Sequence, residues 1–412
     1  MTDGCAAQPW RLPDSLEGLG ILYFGNGWNA ENRTSSHHIA EQLALRMPVL
    51  YLDSPGMRAP SATGRDFRKM IRTLSSSASS PRKIRDNLWH GTVPQLPYRR
   101  VPGVDWINHR FGTWAARRAM KRIECRGWIS WFVVPHLGLM AGRLGERLCV
   151  YYCVDDYASH PGVDEAVVAR LDRYLTRRAG QVFVAPPAIL EAKRALNPHT
   201  EFSPHGVDAK LFGRARDPAT RIPEAAIRLP HPVIGFFGLV ADWIDVELIA
   251  FMARARPAWS FLLVGHVYAG SSALVGCRNV VMVGAQPYES LPNWAKSFDV
   301  AIIPYRDTRQ VRHANPLKLR EYLATGCPVV ATPNPEVERF REWVRIARNP
   351  QEFLEQVEAA LAPEPATAAE ARMAAVGSMT WDARVRAVLD VVSARVTETA
   401  TDSLDLRIDT DE

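Results

Sequence analysis

Short, largely apolar runs separated by amphipathic stretches account for most of this chain. In its first half they fall at 21–24, 49–52, 129–134, 148–154 and 181–185, with a shorter one leading into the Ser203-Pro204-His205-Gly206 turn. Runs of four to seven such residues, bounded by turn residues, have the pattern of strands buried on both faces, as in a parallel sheet. After a proline-bearing linker at 214–230 the pattern starts afresh, with runs at 233–237, 261–264, 280–283, 300–303 and 329–331. Helical spacing fills the gaps: a helix opens near Ser35 or Ser36 and runs through His37, His38, Ile39 and Leu43, and another covers 165–178. Further helices are predicted through Tyr288, Leu291 and Trp294, then over 336–343, 351–361 and 381–392. Strand and helix alternating twice over predict an α/β protein of two doubly wound, Rossmann-like domains, 1–210 and 211–380. Length agrees, because 412 residues exceed what one hydrophobic core of about 250–300 residues holds.

The segment 299–332 carries the densest set of signals. A buried strand leads into a polar loop, a short helix and a second buried strand. Asn315 is the expected N-cap, Pro316 the first helical position, Gly326 the C-terminal stop, and Pro328 bars continuation. Leu319, Tyr322 and Leu323 form the core stripe, leaving Lys318 and Glu321, three apart, as neighbours near the start of the helix. In open parallel sheets, ligands sit beyond the carboxyl ends of strands, beside helix starts whose N–H groups favour anions. The loop before the helix supplies Arg306, Arg309, Arg312 and His313. Cations, a helix start and one carboxylate suit a phosphorylated sugar or nucleotide, with Glu321 accepting bonds from vicinal hydroxyls. The plainer alternative pairs Glu321 with Lys318 on a solvated face.

The first strand ends in Gly25-Asn26-Gly27-Trp28-Asn29-Ala30, a G-x-G-x-x-A pattern, and Asp53 follows at the distance of a dinucleotide fold's ribose acid. That would make the chain an NAD(P)-dependent oxidoreductase. Trp28, Asn29, Glu31 and Arg33 suit that turn poorly, and the alternative is that Gly25, Gly27, Trp28 and Arg33 approach a ligand at the domain interface. Two further strands end at His136 and at Asp155-Asp156, and both ends are expected in the same cleft.

Charge adds a possible surface. Net charge is +6, yet residues 58–126 hold sixteen Lys/Arg against four acids, with a Ser-rich break at 75–80. The alternatives are an ordinary solvated surface or a patch facing an anionic membrane. Nucleic acid is not expected as a partner, since no recognition motif accompanies the charge. The apolar run 128–140 is shorter than the roughly 20 residues of a membrane span and is broken by Pro135 and His136. Six scattered cysteines without a CxxC pair or a secretory leader are expected to be reduced, cytosolic thiols, with no metal site. Residues 397–412 read as a disordered acidic tail.

SPHGVDAKLF (203–212), GFFGLVADWID (235–245) and above all NPLKLREYLATGCPVVAT (315–332) resemble the GT-B glycosyltransferases of family four, whose bacterial members build exopolysaccharide, capsule and lipopolysaccharide. VYYCVDDY (150–157) and the tryptophan-led final helix also fit. The resemblance implies a nucleotide-sugar donor in the second domain, an acceptor in the first, and a last helix, 381–396, crossing back to the first domain. It implies that Glu321 binds the ribose hydroxyls, that Lys318 and the backbone at Leu317 meet the diphosphate or sugar, and that Gly238 permits close approach to phosphate. No cofactor or metal is implied beyond the nucleoside diphosphate sugar, and the acceptor is a saccharide, lipid-linked in such pathways. Two positions depart from the family pattern. His313 stands where a glutamate is usual, eight residues before Glu321, and the 235–245 loop lacks the usual Arg and Lys. The diphosphate would then be met by Arg306, Arg309, Arg312 and Lys318, with His136, Asp155 and His313 as the candidate catalytic groups.

Overall fold

A computed structural model describes residues 10–29, 33–53, 80–96, 103–268 and 271–408. The first sheet has eight strands: β1 (Leu19–Gly25), β2 (Val49–Asp53), β3 (Arg82–Arg85), β4 (Leu88–Thr92), β5 (Gly127–Phe132), β6 (Leu148–Cys153), β7 (Gln181–Val184) and β8 (Thr200–Phe202). Their order is β3-β4-β2-β1-β5-β6-β7-β8, and every neighbouring pair is parallel except β3 with β4. The second sheet is parallel throughout: β9 (Val233–Phe237), β10 (Ser260–Val264), β11 (Val280–Met282), β12 (Val300–Ile303), β13 (Val329–Ala331) and β14 (Val344–Ile346), in the order β11-β10-β9-β12-β13-β14.

Each sheet is buried because its strands are nearly unbroken apolar runs, and each has its own core. Across the first sheet, Tyr51, Tyr23, Trp131, Tyr152 and Phe183 stack side by side with ring centroids 5.1–6.2 Å apart. These rings occupy one face, so their large area and stacking geometry reinforce the strand register. Trp381, Val385, Val388, Leu389, Val392 and Val396 of the last helix, Trp381–Ile408, belong to the first core although they follow the second domain. Arg46 with Asp382, Trp10 with Asp390 and Ser15 with Ser393 fasten the helix there.

Several expectations need correction. The helix continues to Ile408 where a disordered tail from 397 was expected, and 409–412 lie outside the described residues. Antiparallel β3 and β4 and the helix Val104–Met120 arise within the basic segment, where charge outweighed the apolar pattern. Residues 58–79 and 97–102 of that segment lie outside the described residues. Strand β14 is too short to stand out in sequence, and 336–343 is helical only over Pro335–Glu338.

Strand order reverses direction between β1 and β5 in the first sheet and between β9 and β12 in the second. Such switch points open crevices at the strands' carboxyl ends, which here carry Gly25–Trp28, residues 133–136, Gly238 and the loop 304–316.

Candidate active site

The helix after β12 runs Leu317–Thr325 and ends at Gly326 in the left-handed conformation, φ 74°. Its start differs from the expected one. Pro316 is the N-cap, it offers no side-chain acceptor, and the first N–H groups are left to a ligand or water. Asn315 does not cap the helix; its Nδ2 donates to the carbonyl of Ala185 in the first domain at 2.8 Å, and its Oδ1 accepts from Arg320 at 2.8 Å. Leu317 packs against the first domain's core. The helix start therefore lies at the junction of the two domains.

Lys318 and Glu321 are neighbours there but form no ion pair. The Lys318 ammonium lies 5.3 Å from the centroid of the Phe236 ring, beside the end of β9. Gly238, φ 125°, makes this possible, since a Cβ at that residue would lie 2.2 Å from Lys318 Cε. The glycine's first service is thus to Lys318. Glu321 is 7% exposed, and Tyr288 Oη donates to its Oε1 at 3.2 Å. Burial drives its carboxyl up to about 7, while the Lys318 charge and the tyrosine bond pull it partly back. Near neutrality it is poised to accept hydroxyl bonds when ionised.

The first domain closes over this carboxylate. The Arg33 guanidinium, paired with Glu41, sits 5.9 Å above the Tyr288 ring. His38 lies between Tyr288 and Trp381, 5.0 Å from each ring. Burial, aided by the charge of Arg33, lowers His38 to about 3, so it is neutral here. Nothing in the local sequence marks Tyr288 and His38 as site residues; only their juxtaposition in space does.

A second bridge joins the domains. His313 Nδ1 lies 2.8 Å from Asp156 Oδ2, and Arg309 reaches the same carboxylate at 3.1 Å and Glu165 at 2.6 Å. Arg312 pairs with Asp307 at 2.8 Å. Arg306 donates from Nε to the carbonyl of Ile244 at 3.1 Å, tying the loop after β12 to the loop after β9. Of the four cations assigned to a diphosphate, only Arg306 and Lys318 are without an ion pair among the described residues. The expected cationic ring is therefore largely engaged in holding loops and domains together. Asp155 accepts from the backbone N–H of Asp156 and has His160 Nε2 at 2.9 Å. His136 is buried at the head of the segment Pro135–Met140, beyond the end of β5 and adjacent to the end of β6 that carries Asp155.

The glycine turn after β1 is occupied by protein. A Cβ on Gly25 would lie 2.2 Å from Tyr51 Oη, so this glycine makes room for the tyrosine. The Gly27 carbonyl is 3.2 Å from His37 Nε2, and the Trp28 ring packs edge-on against Tyr51 at 4.9 Å. Asp53 accepts from the Trp28 N–H at 2.6 Å and has His90 Nε2 at 2.8 Å. The carboxylate required for an NAD ribose is consumed in closing the turn, which removes the basis of the oxidoreductase reading. Ala30 lies outside the described residues. Also among the described residues, no group of three or more His, Cys, Asp or Glu is placed to hold a metal, and no helix is long and apolar enough to cross a membrane.

Residues 231–363, which contain every second-domain residue named above, match the family model described as Glycosyl transferases group 1. The second domain is a group 1 glycosyl transferase domain. Two Rossmann-like sheets with facing switch points make the whole a GT-B fold, and solved structures agree. Anabaena HepE in complex with UDP and glucose aligns at TM-score 0.62 and 14% identity, over 90% of this chain and 99% of that one. Sucrose-phosphate synthase from Thermosynechococcus elongatus aligns at TM-score 0.67 and 14% identity, over 91% and 98%. The E. coli trehalose-6-phosphate structure bound with UDP-2-fluoro glucose aligns at TM-score 0.65 and 11% identity, over 91% and 99%. At these identities the likeness is one of fold. A curated relative, the putative teichuronic acid biosynthesis glycosyltransferase TuaH of Bacillus subtilis, is 28% identical over 144 residues. That match spans about a third of either chain, 34% of this one and 35% of the relative.

Proposed function

We propose that the protein transfers a hexose from a nucleoside diphosphate sugar to a saccharide acceptor, lipid-linked, in the assembly of a cell-surface polysaccharide or exopolysaccharide. The observation that carries this reading is the convergence of Lys318, Glu321 and an uncapped helix start at the second sheet's switch point, against the first domain. The relatives solved with UDP and glucose or with UDP-2-fluoro glucose support a uridine nucleotide as donor, and TuaH supports a polysaccharide product.

In this mechanism Glu321 accepts bonds from the ribose hydroxyls and fixes the nucleotide. Scission of the bond from the anomeric carbon to the diphosphate oxygen builds negative charge on the leaving group. The Lys318 ammonium and the free N–H groups at Leu317 and Lys318 are preorganised to stabilise it, which is where such sites gain most of their rate. The acceptor hydroxyl forms the new bond to the anomeric carbon from the leaving-group side, with retention, and its proton passes to the departing diphosphate. No step requires a metal or a further cofactor. The reaction is assigned to the cytoplasmic face of the membrane, where a lipid-linked acceptor is met.

The test is release of nucleoside diphosphate from uridine, guanosine and thymidine diphosphate hexoses, with and without EDTA. Turnover by Lys318→Ala or Glu321→Ala at the unaltered rate would remove this site from the reaction. Binding of the nucleotide without transfer to any acceptor would mark a nucleotide-sugar-binding protein instead.

A further inference from the structure

The helix Val104–Met120 has one face built into the first domain and one that the protein leaves open. Val104, Asn108, Gly112, Ala115, Ala116 and Met120 are buried. Asn108 locks the helix to the preceding segment, donating from Nδ2 to the carbonyl of Leu96 at 2.9 Å and accepting from the Leu96 N–H at 2.6 Å. Gly112 lets the helix approach so closely that a Cβ would lie 2.7 Å from Met140 Sδ.

On the opposite face Trp106, Phe111 and Trp114 are 59%, 60% and 57% exposed, three of the eight large hydrophobic residues so exposed among the described residues. Single exposed apolar residues need no explanation, but three aromatics on one helix face constitute a patch. Arg110, Arg117, Arg118, Lys121 and Arg122 alternate with them, all exposed. The spacing 106, 110, 114, 117, 121 keeps successive residues on one side of the helix. The Arg110 guanidinium lies 5.1 Å from the Trp106 ring and that of Arg118 5.8 Å from the Trp114 ring. None of these five cations forms an ion pair among the described residues. The helix's one acid, Asp105, turns aside to Arg170 at 2.5 Å. Across an open depression of about 690 Å³, Arg143 faces Arg110, Trp114, Arg117, Arg118 and Lys121.

We infer that this face docks on a bilayer surface bearing anionic phospholipid, with Trp106, Phe111 and Trp114 entering the headgroup boundary and the cations held at the phosphates. Amphipathic aromatics prefer that boundary, and basic residues gain attraction within a screening length of anionic lipid. Among the described residues the exposed face of this helix carries no carboxylate, and that supplies the complementarity. The buried side of the helix rests on Pro135–Met140, the segment that leaves the first sheet's switch point through His136. Docking thus sets the acceptor half of the crevice beside the membrane. The inference deepens the proposed transfer to a lipid-linked acceptor and rests on it for its purpose, but binding is measured without donor or acceptor, so either can fail alone.

The experiment is sedimentation of the purified full chain with vesicles of phosphatidylcholine alone or with about one-third phosphatidylglycerol, the fraction bound being read as apparent affinity. Binding is expected only to the anionic vesicles, with a blue shift of tryptophan emission and loss in 0.5 M salt. At about fivefold per basic residue, Arg110→Gln/Arg117→Gln/Lys121→Gln is expected to weaken binding roughly 100-fold. Trp106→Ala/Trp114→Ala is expected to weaken it and to abolish the emission shift, while unaltered thermal unfolding shows that both variants are folded. No vesicle binding by the parent, binding insensitive to either variant, or binding that needs the cations but not the tryptophans and is displaced equally by duplex DNA would each overturn the inference. The last outcome would mark a general polyanion surface.

Discussion

Glu321→Gln isolates the cost of keeping a carboxylate in the crevice. Glutamine retains the size and the Tyr288 bond but cannot ionise. Burial raises the carboxyl from its ordinary 4.5 to about 7. At about 1.4 kcal/mol per pH unit, that displacement corresponds to roughly 3 kcal/mol. The sign follows from proton linkage. The folded form holds this proton between about pH 4.5 and 7 while the unfolded form has lost it, so the residue's contribution to stability falls as pH rises through that window. Below about 4.5 the two proteins should differ little, and above about 7 the glutamine variant should be the more stable by nearly the full amount. Thermal unfolding of both proteins from pH 5 to 8.5 would read this as a gap widening to about 5–10 °C for the second domain's transition. Added UDP should narrow or close that gap, because the variant loses a charge-assisted hydroxyl contact of about 1.5–3 kcal/mol, a roughly 10- to 100-fold loss of affinity. Parallel pH curves would refute the buried, perturbed carboxylate. A widening gap with undiminished UDP affinity would leave the carboxylate buried but outside the nucleotide site.

Four other outcomes follow from the same geometry. Lys318→Ala should lower turnover by about 10²–10³, as removal of a leaving-group donor does elsewhere, with a smaller change in KM, read by steady-state kinetics on released nucleoside diphosphate. Gly238→Ala should approach that loss, because its Cβ displaces Lys318, and adding Gly238→Ala to Lys318→Ala should cost little more in turnover. Asp156→Ala removes the carboxylate shared by His313 and Arg309, and hydrogen exchange should rise in 309–317 as the domains lose a tie. Glu336→Gln strands the Arg320 guanidinium, 1% exposed, and should cost about 3–5 kcal/mol in urea unfolding.

The two-domain order was legible because strands buried on both faces must be apolar throughout, and β9, β12 and β13 appear at the predicted residues. The position of Lys318 and Glu321 beside the crevice was legible for another reason: a helix opened by proline and closed by glycine after a buried strand can present only its first turns to the crevice. The start of that helix departs from the local rule: Asn315 satisfies the sequence rule for a cap, whereas its amide is drawn away by the Ala185 carbonyl from 130 residues earlier and by Arg320. Arg309 differs from its expected role similarly, since local sequence shows its charge but not Asp156 and Glu165 of the other domain. The docking helix was hidden among basic residues, and its aromatic stripe became apparent only when the buried face was known.

Local pattern, then, determined by itself which segments are strands, where the second register begins, and which charged residues follow a buried strand, because periodicity and caps act over a few residues. Only the folded chain decided which of those charges remain available. Pairing of His313 and Arg309 with Asp156, seating of Lys318 beside Gly238, and burial of Glu321 under Tyr288 all depend on groups distant in sequence. Desolvation and Coulomb energy are set by what surrounds a side chain in space, and no reading of its neighbours along the chain supplies that.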